Sequence, residues 1–136
     1  MARLAKLMLL ATVVLGAVFF YYVRNVTAVP LTAADLDRGG RYTTEERATL
    51  KSACVAQTQK DAEQVCGCVV DKAATDVSRF DRLVLTATYR QKLADVVALS
   101  KGLAESGIAR AKVKAAEDES RARVRDMLKA CNATAG

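Results

Sequence analysis

The chain opens on a run of seventeen residues without a charge, 7–23 (LMLLATVVLGAVFFYYV), bounded by Lys6 and Arg24. Beyond it, apolar residues recur at steps of three and four, and nothing alternates with period two for long enough to make a strand. An ideal helix over the apolar run rises roughly 25 Å, slightly less than a ~30 Å hydrocarbon core. Lys6 and Arg24 extend the match by reaching out to the interfaces, and Phe19, Phe20, Tyr21 and Tyr22 supply an aromatic belt. Residues 7–23 are therefore expected to contact membrane lipid, with residues 1–24 as the anchor.

Arg3, Lys6 and the free amine precede the run, whereas only Arg24 follows it before Asp35 and Asp37. The positive-inside rule then places the N-terminus in the cytoplasm of a bacterium and the remainder of the chain in the periplasm, across the inner membrane. A cleaved leader is the alternative, since Val26-Thr27-Ala28 offers small residues at a leader-peptidase spacing, with cleavage after Ala28. The apolar run exceeds the ~7 to 15 residues usual in a leader, and a basic residue closes it.

Residues 25–42 hold the single proline, Pro30, and the pair Gly39-Gly40, and they lack an apolar period. They read as a juxtamembrane linker, with a short helix over 32–37. The domain proper is expected over 43–136, as four helices in two hairpins. Thr43-Thr44-Glu45-Glu46 is a capping box that starts a helix over 44–59. Asp61 caps a second helix reaching residue 75, and Ser78 with Asp81 caps a third running to 99 or 101. Gly102 and Gly107 mark the next connection, and a last helix covers 108–130 with Val113, Ala116, Ser120, Val124, Met127, Leu128 and Cys131 on one face. The third helix carries two apolar faces, Phe80, Leu83, Val84 and Ala87 on one, Leu85, Tyr89, Leu93 and Val96 on the other. It is either central and buried on two sides or broken near Thr88. The fold class is all-α.

Composition sharpens this picture. With an anchor removed from 136 residues, about one hundred remain, enough for one small domain. Aromatic residues make up 5% and Trp is absent, so the core rests on Ala, Val and Leu, and a thin core of that kind benefits from covalent staples. Arg3, Lys6 and Arg24 account for three of the 21 basic residues, which leaves eighteen against fifteen acids in the rest of the chain. That balance, on the periplasmic side, argues against nucleic acid. Histidine is absent, which removes the commonest general base and the commonest metal ligand. No catalytic group, cofactor, metal or small-molecule substrate is indicated.

Cys54, Cys66, Cys68 and Cys131 all follow the anchor, and an even count in a small exported domain points to two disulfides. Cys66 and Cys68 lie about 200° apart around a helix, so they cannot bridge each other without unwinding it. Cys54 and Cys66 fall six residues either side of Lys60 and become level across an antiparallel hairpin. The expected pairs are Cys54–Cys66 and Cys68–Cys131. Loop closure of this kind is worth roughly 3 and 4 kcal/mol respectively in the chain-entropy account. The competing reading uses Cys66 and Cys68 as a redox dithiol or a thiolate metal site, the chemistry of a thiol redox or metal-handling protein.

Arg110, Lys114, Arg121 and Arg125 stand at spacings of four and seven beside the apolar face of the last helix. Such a stripe is either a solvated face or a dock for an acidic partner or anionic headgroups. Two functions follow from the sequence: a non-catalytic interaction, accessory or scaffolding module of the cell envelope with a protein partner, or the thiol chemistry named above.

Overall fold

A computed structural model describes residues 2–25 and 28–135, and every regular element among them is helical. The first helix, α1 (Ala2–Asn25), contains Leu4–Tyr21, a stretch long and apolar enough to cross a membrane, none of it buried within the protein. Leucines, valines and phenylalanines emerge on all of its sides, and a helix apolar all round needs an apolar surround.

A 3-10 turn (Ala33–Leu36) and five helices follow: α2 (Thr44–Gln57), α3 (Ala62–Lys72), α4 (Arg79–Tyr89), α5 (Leu93–Glu105) and α6 (Arg110–Thr134). Local hydrogen bonding sets several of these starts. At α2 the Thr43 hydroxyl accepts from the Glu46 amide at 3.1 Å, and the Thr43 amide donates to the Glu46 carboxylate at 3.2 Å. Ser78 and Asp81 repeat the arrangement at α4, at 3.1 and 2.9 Å. Caps of this type contribute about 1 kcal/mol each. Asp61 precedes α3 as expected but makes no side-chain cap; its backbone is left-handed (φ 52°), a conformation Asp tolerates, and it turns the chain from α2 into α3.

The third predicted helix is two. It breaks at Arg90, Gln91 and Lys92, with Gln91 left-handed at φ 55°, so the domain has five helices where the pattern suggested four. Both features of the two-faced sequence are thereby satisfied. α4 is central, sending Phe80 into one core and Leu85 into another, and the break folds α5 back against it. Gly102, expected in a connection, lies inside α5. The reason is steric: a Cβ there would collide with the backbone carbonyl of Val29.

That contact corrects the reading of residues 25–42 as a linker. Leu31 is buried with Phe80, Leu99 and Leu103, and Val29 and Leu36 pack around them. The Gly39 amide donates to the Val77 carbonyl at 2.9 Å, and Arg38 forms a bridge with Ser78. From Val29 onward the chain packs against the domain, because Val29, Leu31 and Leu36, although aperiodic, all join its second core.

Two hydrophobic clusters result. One joins α2, α3, α4 and the later part of α6 through Leu50, Val69, Val77, Leu85 and Met127, with Cys54, Cys66 and Cys131 inside it. The other joins the incoming segment, α4, α5 and the early part of α6 through Leu31, Phe80, Leu103 and Val113. α6, with 25 residues, runs past both and ties them together.

Candidate interaction surface on the last helix

α6 buries Val113, Ala116, Ser120, Met127 and Cys131 and half-buries Val124 and Leu128, the face its apolar period predicts. Arg110, Lys114, Arg121 and Arg125 are all exposed. At 100° per residue they fall within about 60° of arc, and fifteen residues of helix separate the first from the last by roughly 22 Å. The structure thus brings the four onto one flank. Lys114 pairs with Asp118 at 3.5 Å, whereas Arg110, Arg121 and Arg125 form no salt bridge among the described residues.

Three tethers fix this flank relative to the rest of the domain. The first is Cys68–Cys131, with S–S at 2.06 Å and Cα atoms 5.6 Å apart, joining α3 to the end of α6. Cys54–Cys66 joins α2 to α3 in the same way, at 2.05 and 5.8 Å. The sulfurs therefore pair as the hairpin geometry suggested, and Cys66 and Cys68 serve different partners. Cys54, Cys66 and Cys131 are fully buried, and Cys68 is half-buried.

The second tether is ionic. Asp81 of α4 is fully buried, and Arg123 of α6 donates to its two oxygens at 2.8 and 3.2 Å. Burial by itself raises the Asp81 carboxyl; hydrogen bonds from Arg123 and the Ser78 amide outweigh it and hold the group below its ordinary value. The sequence marked Asp81 only as a cap. Arg123 went unnoticed, although its position three residues from Ser120 and four from Met127, at the edge of the buried arc, was the available signal.

The third tether is the Ser100 hydroxyl, which donates to Glu117 at 2.7 Å and pins α5 to α6. Beside it, an open cleft of about 270 Å³ runs between α4, α5 and α6, walled by Phe80, Val84, Val96 and Val97 and rimmed by Glu117 and Arg121. The basic flank therefore borders an apolar groove.

Arg82 ties α4 to the segment that precedes α2. Nearly buried, it donates to the carbonyls of Gly39, Arg41 and Ala73 at 3.0, 2.7 and 2.9 Å, and its guanidinium stacks 4.4 Å from the Tyr42 ring. Burial lowers its pKa, and a buried guanidinium stays charged, so these carbonyls and the ring supply its compensation. Arg79 reaches Glu46 at 3.2 Å and Asp35 at 3.5 Å. A smaller cleft of about 150 Å³ lies among Tyr42, Glu45, Glu46 and Arg79. Of its charged groups, Glu46 caps α2, and Arg79 holds Glu46, Pro30 and Asp35 to α4.

Among the described residues, no three or more cysteine, aspartate or glutamate side chains gather closely enough to hold a metal ion. Compared with known proteins, the chain matches no family model, no curated protein and no solved structure.

Proposed function

We propose that this chain is a single-pass protein of the bacterial inner membrane, with a periplasmic helical domain that works by contact as an accessory or scaffolding module. The observation that carries this reading is the α6 flank. Arg110, Lys114, Arg121 and Arg125 are exposed together on one rigid helix, and three of them lack an ion partner among the described residues. Unpaired cations in a row attract an acidic partner protein at a low conformational cost when the helix beneath them is already fixed. The disulfides support export, because buried structural cystines form and persist in oxidising compartments. The full burial of Cys54, Cys66 and Cys131 also supports a structural role over redox exchange, which needs a sulfur open to attack by another thiolate.

Two measurements on native protein test this. Thiol titration without reductant should find no reactive cysteine, and mild reductant should leave both bridges intact. A reporter active only in the periplasm, fused after Gly136, should be active while the chain stays in the membrane fraction. A readily reduced Cys66 or Cys68 would favour the thiol redox reading, and a reporter active only in the cytoplasm would reverse the topology.

A further inference from the structure

The chain returns from α1 to the domain over a very short path. α1 ends at Asn25, and Val29 is already seated against Gly102 of α5. Four residue steps reach at most about 14 Å even when fully extended. The surface around Val29 is therefore confined to the neighbourhood of whatever surrounds the end of α1. Val29 shares a cleft with Arg90 and Asp95, which places the α4–α5 corner at that same point.

The corner has an unusual surface. Outside α1, Leu93 and Val97 are the large hydrophobic residues left exposed among the described residues, at 76% and 42%, and they lie one turn apart on α5. Arg90 and Lys92 precede them, both exposed, at the turn that left-handed Gln91 creates. Aliphatic side chains flanked by cations suit the boundary between phosphate headgroups and acyl chains, with the carbons entering and the charges meeting phosphate. Asp95, exposed in the same cleft as Arg90, lowers the net charge of the corner, so aliphatic insertion and headgroup contact act together here.

We infer that the α4–α5 corner, through Arg90, Lys92, Leu93 and Val97, rests on the phospholipid surface of the bilayer that holds α1. This rests on the reading of α1 as a retained span. An acidic protein helix would satisfy the same side chains, but it would have to enter a gap that the path from Asn25 to Val29 keeps short; lipid is already there. The contact fixes the domain's attitude on the membrane and thereby which way the α6 flank faces.

The test uses the full chain in vesicles of phosphatidylglycerol and phosphatidylethanolamine. The native cysteines are bonded, so a cysteine introduced at an exposed site takes a fluorophore selectively. Leu93→Cys, Leu15→Cys in α1 and Gln57→Cys at the end of α2 are each labelled, and quenching by a lipid-borne nitroxide is compared. Leu93→Cys and Leu15→Cys should be quenched several-fold more than Gln57→Cys. If Leu15→Cys is quenched while Leu93→Cys matches Gln57→Cys, the corner does not touch lipid and the inference is overturned with the span intact. If Leu15→Cys also matches Gln57→Cys, α1 does not span and the inference falls with it.

Discussion

Arg123 and Asp81 illustrate how much a single residue pair decides in a domain with so few aromatic residues. Removing the guanidinium strands a carboxylate that has no exposure to water, and breaking a buried pair in this way costs about 3 kcal/mol or more. Arg123→Ala should therefore lower the midpoint of chemical unfolding substantially. The pH dependence has a definite sign. Asp81 is held below its ordinary value in the folded state, so its contribution is present above an unfolded value of about 3.9 and is lost as pH falls towards the folded value. Melting temperature should decline as pH drops below about 4, and Asp81→Asn should flatten part of that decline while lowering stability at neutral pH. The capping role of Asp81 was legible because Ser78 lies three residues away. Its partner lies 42 positions further along, and no local pattern announces a contact of that range. Glycines divide similarly. At Gly102 a Cβ meets the Val29 backbone, so Gly102→Ala should destabilise by about 1 to 3 kcal/mol. At Gly67, inside α3, a Cβ meets open space, and Gly67→Ala should stabilise by about 0.5 to 1 kcal/mol. Unfolding midpoints of the two variants, moving in opposite directions, check both.

Helices were readable where a capping box marked the start, as at α2, or where the apolar period was sustained, as at α6. Tertiary context decided the rest. α4 and α5 look continuous because Leu85, Tyr89, Leu93 and Val96 keep a helical step, yet Leu93 ends up exposed after the chain turns at Gln91. The segment leading into the 3-10 turn shows the converse: it lacks periodicity, and Leu31 is nevertheless buried, since an irregular segment can fill a core without repeating. The cysteine pairs were legible because their geometry depends on helix angle and hairpin register, both properties of spacing. A consequence at this scale concerns α6. Cys131→Ser removes a bridge spanning 63 residues, worth about 4 kcal/mol by chain entropy, and leaves Cys68 reactive to alkylation. Amide exchange should accelerate in the last turns of α6 and change little in α2 and α3, which keep Cys54–Cys66. Uniform acceleration through all the helices would show instead that the staple holds the whole domain.

For the whole molecule, the central claim is that a domain with two staples presents α6 to a partner at the membrane. The charge of the domain alone does not select that face, since eighteen basic residues stand against fifteen acidic ones beyond the anchor. Selection comes from arrangement: Glu46 and Asp81 serve caps and also hold Arg79 and Arg123, while Arg110, Arg121 and Arg125 form no salt bridge among the described residues and share one flank. The stripe was visible in the sequence, and its rigidity was not, because two of the groups that fix it, Ser100 and Asp81, belong to other helices. The measurement that bears on the claim most directly is crosslinking in cells with the doubly reversed protein, Arg121→Glu with Arg125→Glu, against the unaltered chain. Both positions are exposed, so the melting temperature should stay within a few degrees while recovery of the crosslinked partner falls at least several-fold. Undiminished partner recovery from a folded double variant, with Cys66→Ser and Cys68→Ser abolishing activity in a domain that still folds, would contradict the account and favour thiol chemistry.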